Sequence, residues 1–224
     1  MEEEDIIQNT EKIQGTHNFI HKSKSFPFNF YMFLASSEFF QNRKEQLEKL
    51  KNIPLIENED EEKLDFSNDS IENFIKYVHR EKISINKENS AMINYLAKKY
   101  KIFSLIKYTK QYISKHIQDI SLPILTIEQN FPSLETEIYE ETISEHLIEY
   151  INDERLLSFN VPLMHRILTK YQHKFPQASE SKEIIDFLMK YLDKHKREAS
   201  VLFSNVDFGD ARAEYLHRLI TDYK

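Results

Sequence analysis

The pair His17 and His21, in the segment HNFIH, comes nearest to the spacing of a metal site. On a helix, histidines four residues apart direct both rings toward one zinc ion, as in the metalloprotease motif H-E-x-x-H. Asn18 stands where that motif has its glutamate, and the segment fits a strand better than a helix. In a strand, residues four apart are separated by about 13 Å, which is too far to share an ion. We therefore expect no metal at this pair.

Other residue types that carry catalysis are scarce or show no pattern. The chain has no cysteine, which removes disulfides, thiolate ligands and cysteine nucleophiles and favours a reducing compartment, the cytoplasm or the nucleus. Its only glycines are Gly15 and Gly209, so no glycine-rich loop can bind the phosphates of a nucleotide. The acidic runs at residues 57–63 and 135–145 are typical of solvated loops or helix faces. We expect neither an enzyme nor a bound cofactor.

Positive charge is concentrated at residues 98–116, where lysines alternate with aromatic residues. The lysines are Lys98, Lys99, Lys101, Lys107, Lys110 and Lys115. One interpretation is a surface that binds RNA or a phosphoinositide; the other is a helix with its lysines in solvent and its aromatic residues in the core. A formal net charge of -7 argues against a general affinity for nucleic acid. We therefore prefer the second interpretation.

Most of the chain shows the helical period, with apolar residues at i, i+3, i+4 and i+7. The groups are Ile71, Phe74, Ile75 and Val78; Ile93, Leu96, Ala97 and Tyr100; Met164, Ile167, Leu168 and Tyr171; Ile184, Phe187, Leu188 and Tyr191; and Tyr215, Leu216, Leu219 and Ile220. Asn86 and Asn89 precede the second helix as capping candidates, Asn160 precedes the third with Pro162 in its first turn, and Asp210 precedes the last.

Strands are predicted in the first half alone. Residues 17–20 and 25–28 form a hairpin around the polar turn HKSK, and residues 82–85 alternate polar with apolar as a short strand does. The apolar run FPFNFYMFLASSEFF, residues 26–40, is too short to span a membrane, so we expect a buried helix over residues 30–35 capped by Asn29. Near residues 117–123 the pattern becomes purely helical, which predicts an α+β domain followed by an all-α domain.

The segment NFYMFLASSEFF resembles the signature of the BTB/POZ domain, a histidine, a Val-Leu-Ala-Ala-like run and Ser-x-x-Phe. The matching positions are Asn29, Met32, Phe33, Ala35, Ser37 and Phe40. Residues 71–113 are similar to the helix, short strand and helix pair that follow in this family. Three later segments, LTIEQNF, HLIEYINDERLLSFNVPLMHRILTKY and VDFGDARAEYL, resemble the BACK domain. Asn29 and Tyr171 depart from the family's usual histidine and tryptophan.

The resemblance implies an N-terminal arm (1–14), a BTB/POZ-like domain (15–116) and a BACK-like helical domain (117–224). It also implies a non-catalytic adaptor that forms homodimers and presents an unknown target protein to a cullin-type ubiquitin ligase. The candidates for the dimer interface are Ile6, Ile7, Ile13, Phe30 and Phe33. The candidates for cullin contact are Phe40, Leu55, Glu57, Tyr100 and Phe103.

Two alternatives use the same residues differently. The first is a self-associating scaffold that binds no ligase, and the second is a phosphate-surface or nucleic-acid binder that uses residues 98–116. We expect no insertion into a membrane. Proteins of the resembled family continue into kelch or ankyrin repeats after this region, and if the chain is a fragment its target-binding part is missing.

Overall fold

The chain is described by a computed structural model over residues 16–55, 66–129, 134–175 and 182–205, together with His217 and Thr221. Over these ranges the protein is mostly helical and has one small three-stranded sheet, in agreement with a mostly helical α+β class. A division between His116 and Ile117 separates an N-terminal unit from a C-terminal unit. No helix in the described ranges is long and apolar enough to cross a membrane.

The sheet of the N-terminal unit has the strand order β2-β1-β3. Its strands are β1 (His17–His21), β2 (Lys24–Phe28) and β3 (Asn52–Pro54). The first two form the predicted antiparallel hairpin, and Lys22 adopts the left-handed conformation at its turn (φ 54°). The sequence does not predict β3, which pairs in parallel with β1, because three residues are too few to show an alternating pattern.

Helices make up most of the rest of the N-terminal unit. Within the described ranges they are α1 (Phe30–Ser36), α2 (Glu38–Asn42), α3 (Lys44–Leu47), α4 (Asn68–Val78), α5 (Ser90–Lys99) and α6 (Phe103–Lys115). The predicted cap of α1 is confirmed, since the carboxamide oxygen of Asn29 accepts hydrogen bonds from the backbone N–H groups of Tyr31 and Met32 at 3.0 and 3.3 Å.

A core rich in phenylalanine joins the sheet to these helices. Phe19 stacks on Phe28 with 4.2 Å between ring centroids and meets Phe33 edge-on at 5.2 Å. Phe74 of α4 packs on Phe33 at 5.5 Å and lies 6.3 Å from Phe19. The apolar run of residues 26–40 therefore supplies much of the core of a small unit, where close aromatic pairs add to the energy of burial.

The strand predicted at residues 82–85 is wrong, because residues 81–86 have no regular structure. The backbone N–H of Ser84 donates to the carboxamide oxygen of Asn73 at 3.0 Å, and its carbonyl accepts from the carboxamide nitrogen of Asn89 at 2.9 Å. Side chains thus satisfy the main-chain groups that a neighbouring strand would otherwise pair. Asn89 also differs from its prediction, since its oxygen accepts from the backbone of Asn86 and not from the first turn of α5.

The described part of the C-terminal unit is helical. Its α-helices are α7 (Ile117–Glu128), α8 (Glu137–Glu145), α9 (Leu147–Tyr150), α10 (Val161–Lys174) and α11 (Lys182–His195), and its 3-10 segments are Leu134–Thr136, Leu156–Ser158 and Lys196–Asn205. The predicted helices α10 and α11 are confirmed, and the carboxamide oxygen of Asn160 caps α10 by accepting from the N–H of Leu163 at 2.9 Å. The helix predicted after Asp210 lies outside the described residues except for His217 and Thr221.

Candidate protein-interaction surface

Most of the described contact candidates lie inside the N-terminal unit and not on its surface. Phe30, Phe33, Phe40, Leu55 and Tyr100 all belong to the phenylalanine-rich core, where each has at most 1% of its surface exposed. A side chain without accessible surface cannot touch a partner, so these five stabilise the unit, and their predicted contacts lose support. Ile6, Ile7, Ile13 and Glu57 lie outside the described residues, and their roles stay predictions.

Hydrogen bonds and ring contacts fix the buried candidates to one another. Phe40 lies 5.2 Å from Phe33 and 6.0 Å from Tyr100, measured between ring centroids. The hydroxyl of Tyr100 donates to the carbonyl of Leu55 at 3.2 Å. The resemblance therefore identified residues that matter for the fold, and it did so because signature positions in this stretch are mostly apolar.

Phe103 is the exception, with 63% of its surface exposed at the first residue of α6. The buried face of this helix carries Leu105, Thr109 and Ile113, spaced four residues apart. Phe103 stands outside that row and projects into solvent. A large aromatic side chain with this exposure is a candidate anchor for a partner protein, since aromatic residues are enriched at the centres of interfaces.

Residues near the start of α2 connect to the turn that precedes Phe103. Lys101, in the left-handed conformation (φ 52°), places its ammonium group 2.7 Å from the carboxylate of Glu38. Next to Glu38, the half-buried Phe39 meets Tyr100 edge-on at 5.2 Å, and the guanidinium of Arg43 lies 4.5 Å above the Phe39 ring. We term Glu38, Phe39, Arg43, Lys101 and Phe103 the Phe103 surface.

The basic stretch spans the end of α5, a short turn and α6, and its aromatic residues do not all enter the core as expected. Tyr100 is buried, whereas Phe103 is largely exposed and Tyr108 is 46% exposed and stacks on Tyr77 at 6.2 Å. The position that fills the core instead is Thr109, whose hydroxyl donates to the carboxamide oxygen of Asn94 at 2.9 Å. Because Thr109 is polar, the apolar periodicity of the sequence does not identify the buried face of α6.

The histidines of β1 have structural partners. The Nε2 atom of His17 lies 3.2 Å from the carbonyl oxygen of Glu48, and its ring stacks on Phe30 at 4.6 Å. His21 meets Phe66 edge-on at 5.6 Å. Across the described ranges no cluster of three or more His, Cys, Asp or Glu side chains could hold a metal ion. The strand prediction for this segment is confirmed.

No model of a known protein family matches the chain, and no curated protein matches it significantly. The geometry of the described residues and the resemblance of sequence motifs therefore carry the functional argument.

Proposed function

We propose that the chain is a non-catalytic adaptor related to BTB-BACK proteins, and that its N-terminal unit binds a partner protein through the Phe103 surface. The observation that carries this proposal is the 63% exposure of Phe103, two residues after Lys101, which pairs with Glu38. An aromatic anchor flanked by both charges has the composition of a small interface centre with a polar rim. The order of elements, a hairpin, three short helices, a third strand, a helix and a helix pair, adds support.

The partner we propose for this surface is a cullin-type scaffold, with a target protein held elsewhere and the chain acting as a homodimer in the cytoplasm or nucleus. Of the five cullin-contact candidates, Phe103 is the one whose described side chain is accessible. The alternative function is a self-associating scaffold without a ligase. It shares the dimer but predicts that no cullin binds.

Binding of the purified full chain to a panel of cullin N-terminal domains, measured by biolayer interferometry, tests the proposal. Phe103→Ser should weaken the complex by about 2 kcal/mol or more, the loss typical of an anchor at an interface centre. The matched control is Ile138→Ser, which removes an apolar side chain of similar exposure, 53%, from α8 in the C-terminal unit.

Equal binding by the Phe103→Ser variant and the unmodified chain would contradict the role of the Phe103 surface. Failure of every cullin to bind would contradict the ligase function and favour the scaffold. Circular dichroism of each variant separates a lost contact from a lost fold. Because Phe103 is largely solvated, its substitution should leave the helical spectrum unchanged.

A further inference from the structure

A groove runs between the outer edge of β2 and one face of α4 and has a volume of about 560 Å³. Its strand side is formed by residues 24–27, and its helix side by Asn68, Glu72, Ile75, Lys76 and His79, with Glu81 beyond the helix end. The helix residues recur at intervals of three and four, so they share one face. The N–H of Asn29, which follows β2, donates to the Nε2 atom of His79 at 3.0 Å and joins the two walls.

Main-chain groups of β2 point into this groove. The N–H of Asn18 donates to the carbonyl of Lys51, and the carbonyl of Ile20 accepts from the N–H of Leu55. The main-chain groups of Asn18 and Ile20 therefore point toward β3. Their partners across the hairpin are Pro27 and Ser25, which therefore face away from β1. The N–H and C=O of Ser25 and the C=O of Pro27 form an open edge, since β2 ends the described sheet.

Pro27 fits an edge strand, because the N–H that proline lacks would have pointed away from β1 and so its absence removes no hydrogen bond to β1. The groove keeps one outward donor, the N–H of Ser25, and it is followed along the strand by two outward acceptors, the C=O groups of Ser25 and Pro27. An extended peptide laid along β2 can satisfy these groups by main-chain hydrogen bonds, whatever its sequence. Its alternate side chains would then point toward α4, where Ile75 and Phe26 provide an apolar floor.

The groove carries charges of both signs. Lys76 lies 3.9 Å from Glu72, whereas Glu81 lies 3.7 Å from the ring of His79, which accepts a hydrogen bond at Nε2 and is neutral in that state. Lys24 is exposed at the strand side, and within the described part of the chain it makes no ion pair. An acidic side chain on a bound peptide would complement this lysine.

We propose that this groove binds an extended peptide of another protein, which adds a strand to the edge of β2, places an apolar side chain over Ile75 and sets an acidic side chain against Lys24. The site is separate from the Phe103 surface and does not depend on the proposed cullin function. It would give the adaptor a second binding site on the same N-terminal unit.

The test uses the isotope-labelled full chain and peptides selected on it from a phage-displayed library of random dodecapeptides. Selected peptides should alternate apolar with polar residues and carry an acidic residue. A bound peptide should slow hydrogen exchange of the Ser25 amide by about tenfold or more, because the amide becomes hydrogen-bonded. The Phe26 amide faces β1 already and serves as an internal control.

Charge reversal provides the matched pair of variants. Lys24→Glu should lower the affinity for an acidic peptide by about tenfold, since two negative charges would then face each other. Lys51→Glu makes the same change at an exposed residue beside β3, at the other edge of the sheet, and should leave the affinity unchanged.

Three results would overturn the proposal: no peptide is enriched, enriched peptides leave the exchange of the Ser25 amide unchanged, or Lys24→Glu and Lys51→Glu weaken binding equally. A fourth would identify a different occupant. If the Ser25 amide is already protected in a dimer that Lys24→Glu dissociates, the groove is occupied by a second copy of the chain. Cullin binding through Phe103 is measured separately, so failure here leaves that proposal standing.

Discussion

His79 couples protonation to the packing of β2 against α4. Its Nε2 atom accepts the N–H of Asn29 at 3.0 Å, which requires a ring without a proton on Nε2. Burial lowers the pKa of His79 below its ordinary value, and the charge of Glu81 offsets part of this effect. Because the unfolded chain then takes up the proton more readily than the folded one, the neutral ring stabilises the fold above about pH 6.5.

We expect the free energy of unfolding to fall as the pH drops below about 6.5 and through the lowered pKa of His79. Urea denaturation between neutral and mildly acidic pH measures this change. In His79→Gln the side-chain oxygen can still accept from Asn29 but does not titrate, so the profile should be flatter over this window. An unchanged slope in the variant would show that other groups cause the acid sensitivity.

At the scale of elements, two buried carboxamides hold the irregular segment 81–86 between α4 and α5. Asn73 and Asn89 both donate to the carboxylate of Asp69, at 2.9 and 2.8 Å, and both bind the main chain of Ser84. Removal of either side chain leaves a main-chain group of Ser84 and a carboxylate oxygen without that partner. Each loss of a buried hydrogen-bond partner costs about 1–3 kcal/mol.

Asn73→Ala and Asn89→Ala should each lower the free energy of unfolding by about 1–3 kcal/mol, measured by urea denaturation. Because the two side chains share Asp69 and Ser84, the double variant should lose less than the sum of the single losses. Asn18→Ala is the matched control: it removes a solvent-exposed bond to Asn52 and should cost about 0.5 kcal/mol or less. Additive losses would mean that the two carboxamides act independently.

The sequence predicts those helices and strands that are determined by residues within or next to them. The hairpin, α1, α4, α5, α10 and α11 follow from alternation, from apolar periodicity and from caps such as Asn29 and Asn160. The segment 82–85 alternates like a strand, but the main chain of Ser84 is satisfied by the carboxamides of Asn73 and Asn89, both outside the segment, and the alternation does not contain that information. The change to a purely helical pattern near residues 117–123 coincides with α7, which begins at Ile117 and continues through Pro123.

The candidate surface is harder to predict than the fold for a similar reason. Residue type alone does not tell a buried aromatic from an exposed one, as Tyr100 and Phe103 show within one short segment. Tyr100 caps the C-terminal end of α5, whereas the exposure of Phe103 follows from the buried row of α6, Leu105, Thr109 and Ile113, in which a threonine replaces an apolar residue. The sequence also does not predict that β2 is an edge strand, because this depends on which strands pair with β1 on its two sides.

At the scale of the whole molecule, both candidate binding sites lie on the N-terminal unit, and homodimerisation remains a prediction. Phe30 and Phe33 are buried in the core. Among the predicted interface residues, formation of the homodimer therefore depends on Ile6, Ile7 and Ile13. We therefore expect the intact chain to show twice the mass of one chain by light scattering over a concentration series. Removal of residues 1–14 should shift it toward the monomer by mass action.

The control for this experiment is the intact chain carrying Ile6→Ser and Ile13→Ser, which keeps the length of the segment and removes two apolar side chains. A dimer that survives both changes would require another surface, and a monomer at every concentration would contradict pairing altogether. Phe103→Ser should leave the mass unchanged, since pairing is assigned to different residues. A substitution at Phe103 that abolished both cullin binding and the dimer would indicate unfolding of the N-terminal unit and not the loss of one contact.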